Sequence, residues 1–131
     1  MSFAEDIEKF IEKTKAKTDD VVRKVTIDLA RGVVRMSPVD TGRFRGNWML
    51  GIGGVDASTM EITDPDGTDA LGRIEGQTDK IKAGETIFIT NSLPYAIPLE
   101  YGHSSQAPSG MVRLVVREYQ TYIENAIRSV Q

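Results

Sequence analysis

Few residues in this chain have the types and spacing that chemistry needs. Asp64-Pro65-Asp66-Gly67-Thr68-Asp69, with Glu75 eleven residues after Asp64, comes close to a calcium loop. Carboxylates stand at its first, third and twelfth positions and a hydroxyl at its fifth. The sixth position, where such a loop needs glycine for a sharp turn, is Asp69, and no convincing helix leads into Asp64, so the stretch reads as a solvated acidic turn. His103 precedes Ser104 and Ser105, and an imidazole beside a hydroxyl is the beginning of a nucleophile–base pair. The second glycine of a nucleophile elbow is missing from Gly102-His103-Ser104-Ser105-Gln106, and a polar loop is the ordinary home of such residues. A hydrolase centred on His103 therefore stands only as an alternative. Gly51-Ile52-Gly53-Gly54 lacks the third glycine of a dinucleotide fingerprint, and Asp19-Asp20 are neighbours that point different ways on a helix.

Composition narrows the field further. The chain has 131 residues, no Cys and a single His, which removes thiol catalysis, thiolate zinc sites and ordinary multi-histidine metal sites. No cofactor is implied. The formal net charge is -3, yet residues 53–85 hold 8 acids against 3 bases, while the rest hold 11 acids and 13 bases. Acidity thus belongs to one segment. Arg23, Lys24, Arg31, Arg35, Arg43 and Arg45 form the one basic concentration. Cations near a helix C-terminus complement its dipole. The functional reading is a patch for phosphates or for the acidic segment of another copy, and a DNA-associated module using Arg31, Arg35, Arg43 and Arg45 is a second alternative. The N-terminus has neither a basic region nor an apolar run, and no stretch approaches the ~20 apolar residues of a membrane span, so a cytosolic product without membrane contact is expected.

The elements that position these residues follow from periodicity. Phe3, Ile7, Phe10/Ile11, Thr14, Val21/Val22, Val25, Leu29, Val33 and Met36 predict one helix over about 2–36, opened by a Ser2/Glu5 capping box and stopped by Ser37-Pro38. At 1.5 Å per residue it is roughly 50 Å long, more than a domain this small can cover. Part of it must leave its own core, and residues 11–21 are the place for a break, a kink or an exposed arm. Period-two alternation over Trp48, Leu50 and Ile52, the run Met60-Glu61-Ile62, and Thr86–Thr90 predict strands. Residues 68–82 fit a short helix or a loop equally well. Residues 95–102 predict a helical turn ended by Gly102, and 109–130 a last helix. The expected fold is a single α+β domain spanning 1–131. The N-terminal helix over about 2–36 and the C-terminal helix over about 109–130 pack on a central antiparallel sheet of about three to five strands, drawn from a β region with an acidic loop over 43–90.

Three stretches carry a resemblance. Residues 37–48, Ser-Pro-Val-Asp-Thr-Gly-Arg-Phe-Arg-Gly-Asn-Trp, look like the P-x-D-T-G-x-L/F-R-x-S/N segment of tailed-bacteriophage neck and tail-completion proteins. Residues 89–102 are similar to that family's N-x-x-P-Y-A-x-x-x-E-x-G, and Gln106-Ala107-Pro108-Ser109-Gly110-Met111-Val112 resembles the loop that opens its last helix. Order and spacing hold across the chain. The resemblance implies a non-enzymatic virion protein at the head–tail junction of a long-tailed phage, made in the host cytoplasm. It implies a ring of six copies that completes or terminates the tail, contacts tail-tube and head-connector proteins, and lets DNA pass without sequence-specific binding. Arg43, Arg45, Trp48, Tyr95, Tyr101, His103 and Pro108 are the expected contacts with other copies or partners, because rings with wet hydroxyls and exposed cations suit subunit interfaces.

Overall fold

The computed structural model describes residues 2–130; the side chains of Phe3 and Ile11, two members of the expected apolar stripe, lie outside the described residues. Helix α1 runs unbroken over Phe3–Met36. Ser2 Oγ accepts from the Glu5 amide and the Glu5 carboxylate accepts from the Ser2 amide, so both halves of the capping box are made. Of the three outcomes open for 11–21, the structure takes the arm. Residues 4–10 and 12–18 are all exposed, whereas from Val21 onward α1 is progressively covered until Ala30, Val33 and Val34 are buried. No helix of the described residues is long and apolar enough to cross a membrane.

The helix ends where Ser37 turns extended, and Ser37 is buried for a reason. Its hydroxyl donates to the Val33 carbonyl at 2.6 Å and accepts from Trp48 Nε1 at 2.8 Å, so the indole is buried with its N–H satisfied. A single turn, α2 (Arg43–Gly46), leads into strand β1 (Met49–Ile52). Helix α3 (Thr68–Gln77) continues into a short 3-10 turn over Thr78–Lys80. Strand β2 (Ile87–Thr90) then pairs antiparallel with β1, with Leu50 opposite Ile89 and Ile52 opposite Ile87. Helices α4 (Ala96–Glu100), α5 (Val112–Arg117) and α6 (Tyr119–Ser129) complete the chain.

The architecture is α+β as expected, with long helices flanking a small antiparallel sheet, but the sheet has two strands among the described residues instead of three to five. Met60-Glu61-Ile62 is not a strand because a side chain takes its backbone. Asn47, fully buried, donates through Nδ2 to the Met60 carbonyl at 3.1 Å and accepts the Met60 amide through Oδ1 at 2.7 Å. The last helix is also divided: the chain turns at Glu118, and both halves lie on α1 near Gly32, where an added Cβ would press on Val115 and Tyr122. Residues 68–80, undecided by pattern, are helical.

The core sits between α1, α3, the sheet and α5. Val33, Val34, Phe44, Trp48, Leu50, Ile74, Ile81, Leu93, Met111 and Val115 are its apolar residues of Val size or larger.

Candidate functional site

The three stretches that carry the resemblance are far apart in sequence and meet on one face. The first is the turn Asp40-Thr41-Gly42. Gly42 holds φ +92°, and a Cβ there would run into the Asp64 and Pro65 backbone, so only glycine fits. The Gly42 carbonyl accepts the amides of Gly46 and Asp64, at 3.0 and 3.3 Å. Arg45 then bridges this turn to the end of α1, donating to the carbonyls of Pro65 (2.9 Å), Arg35 (3.1 Å) and Ser37 (2.7 Å).

The second stretch packs on the first. Asn91 Nδ2 donates to the Phe44 carbonyl at 2.8 Å, and the Phe44 ring lies 5.8 Å from both Trp48 and Tyr95. The third stretch is tied to the first by one side chain, since Gln106 both accepts from the Val39 amide (2.9 Å) and donates to the Val39 carbonyl (3.0 Å). Between them lies an open hollow of about 400 Å³ lined by Val39, Thr41, Arg43, Phe44, Tyr95 and Gln106.

Glu100 ties the second stretch to the third. Its carboxylate accepts from the amides of Met111 (3.0 Å), Val112 (2.8 Å) and Arg113 (3.2 Å), and from Arg113 Nε at 3.1 Å. Burial works against its charge, but these donors outweigh burial and hold the carboxyl below its usual range. A carboxylate from eleven residues upstream is thus the N-terminal cap of α5. The Arg113 guanidinium also lies over the Tyr101 ring, 5.1 Å from its centroid.

The expected contact residues divide sharply. Tyr101 is 67% exposed and Tyr95 37%, and His103 and Pro108 are exposed on the same loop cluster. Trp48 is a correction: at 4% exposure it is core, held by Ser37, and presents nothing to a partner. Arg45 is half-buried and spent on three carbonyls, so its role is internal. Arg43 is half-buried and pairs with Glu61 at 3.1 Å.

Charge is likewise used inside the chain. Opposite signs of α1 and the acidic segment, which could have met between copies, meet within one at Arg31 and Glu75, 2.8 Å apart, and two bonds to backbone join the same regions: Arg23 Nε donates to the Ile81 carbonyl at 2.9 Å and the Ala83 amide donates to Asp19 at 2.7 Å. Asp64 is buried and accepts the amides of Asp69 and Ala70 at 3.1 and 2.9 Å, so the carboxylate at the first position of the calcium-like pattern caps α3. Among the described residues no three His, Asp or Glu side chains are gathered as metal ligands. Ser104 Oγ accepts the Gln106 amide at 3.2 Å, which closes the loop after His103.

Glu100, Gln106 and Asn91 are the residues that contact reasoning missed. Their partners lie 11 to 67 positions away, beyond any local pattern. No family model, characterised protein or solved structure matches the chain.

Proposed function

We propose that this protein is a structural component of a long-tailed phage virion, acting without catalysis at the head–tail junction. In this reading it forms a ring, of six copies, that completes or terminates the tail and docks it to the head connector around the DNA channel. The observation that carries the proposal is the convergence of residues 37–48, 89–102 and 106–112 on one face, tied by Gln106, Asn91 and Glu100. Motif residues held to each other by half-buried and exposed hydrogen bonds set the shape of a surface. Tyr95, Tyr101, His103 and Pro108 stand on it, exposed and mostly uncharged, as a protein contact requires.

The exposed acids of residues 53–85, Asp66 and Asp79 among them, would repel a passing polyanion and keep DNA from adhering to the channel. Deleting the gene from its phage tests the reading. The expected phenotype is DNA-filled heads and finished tails that stay separate and join when the purified protein is added. Normal joined virions without the protein would overturn it.

A further inference from the structure

The exposed arm of α1 has a register of its own. Ile7, Thr14 and Val21 stand seven residues apart and Phe10 falls three after Ile7, the a and d spacing of a coiled-coil seam, which Lys17 interrupts between Thr14 and Val21. Over the second half of α1 the face around Gly32 is covered by α5 and α6, where an added Cβ would meet Val115 and Tyr122. Helix α6 stops beside Thr14–Val21, leaving a groove of about 440 Å³ lined by Thr14, Lys17, Thr18, Val21, Ile127 and Val130. Beyond it the seam lies open: Phe10 is 71% exposed and Ile7 42%. Thr14 donates its hydroxyl to the Phe10 carbonyl, so it joins the seam without an unsatisfied donor.

We infer that the arm pairs antiparallel with the arm of a second copy, Ile7 of each packing against Phe10 of the other. Charge fixes this choice. With Ile7 and Phe10 as core positions, the flanking positions that face each other in an antiparallel pair are Asp6 and Lys13, and each meets its opposite in the partner. A parallel pair would set Lys13 opposite Thr18, and would bring both bodies to the same end of the pair. In the antiparallel register the first turn of each arm reaches the groove beside Ile127 and Val130, so the partner continues the covering that α6 begins. The arm is already helical as an extension of a packed and capped helix, so pairing need not nucleate it. The contact is two-fold and closes at two copies, unlike a ring contact, and it does not rest on the virion reading.

Sedimentation velocity over micromolar to millimolar concentrations tests it. The wild-type chain should form a dimer, and Phe10→Asp should remain monomeric with an unchanged urea midpoint, since Phe10 lies outside the core. Asp6→Lys and Lys13→Asp should each weaken the dimer about tenfold, as both symmetry-related attractions become repulsions, and the double variant should regain it. Because the chain has no Cys, mixing Ile7→Cys with Phe10→Cys chains reads the direction. Antiparallel arms give the mixed disulfide, and parallel arms give each chain linked to itself. A wild-type monomer at every concentration, a Phe10→Asp dimer of wild-type strength, a double charge variant no better than the singles, or self-linked products would each overturn the inference.

Discussion

The two halves of α1 are one continuous helix held by different forces. Residues 21–36 owe their place to burial: Ala30, Val33 and Val34 sit against the core, and Arg23 and Arg31 reach across to Ile81 and Glu75. Residues 4–10 and 12–18 have no such cover, and this half depends on the Ser2/Glu5 box, on acids in the first turn and on the rigid half below. Capping and propensity are enough to keep a helix going where its tertiary partners end. Its exposed apolar positions are then available to another molecule.

The largest effects should fall on the packed half and its neighbours. Trp48→Ala would remove the indole and leave Ser37 Oγ without its donor, costing about 3–5 kcal/mol, read as a lower urea midpoint at unchanged slope. Glu100→Ala would strip the cap from α5 and cost about 2–3 kcal/mol. The same carboxylate gives a pH signature. Its folded-state pKa lies below the ordinary 4.5, so its contribution is complete above that value and is lost as pH falls through the folded pKa. Acid titration of wild-type and Glu100→Gln stabilities should therefore converge below about pH 4.5.

Smaller effects should separate the halves most cleanly. Ser2→Ala should cost about 1 kcal/mol of arm helicity, seen as faster amide exchange over residues 5–14 while the global unfolding midpoint stays put. If the midpoint falls instead, the arm is coupled to the core and the contrast between the halves fails. Glu75→Gln should matter least, about 0–1 kcal/mol, because the Arg31–Glu75 pair is over a third exposed on both sides.

Much of this was legible in the chain. The 3.6-residue stripe, the capping box and Ser37-Pro38 mark α1 from end to end, because they depend on near neighbours, and its length puts part of it outside the core, but among a break, a kink and an arm only the folded chain decides. The missing strands were not legible. Met60-Glu61-Ile62 has strand composition, but Asn47 satisfies the Met60 backbone from thirteen residues away. Trp48 looked like a surface aromatic by analogy and is core, because Ser37 supplies the acceptor its N–H needs. The face formed by the three stretches was legible in part: Tyr95, Tyr101, His103 and Pro108 are exposed together, while Asn91, Glu100 and Gln106 belong to the motifs but hold partners that no local pattern names.

Sequence alone determined the bounds of α1, the turn at Gly42, the segregation of acid and base, and the scarcity of catalytic side chains. These follow from residue type and spacing within a few positions. Tertiary structure decided where the charges are spent, which aromatics are buried, and that three distant motifs form one face. Each of those outcomes rests on a hydrogen bond or ion pair between residues 11 to 67 apart, whose partners only the folded chain brings into reach.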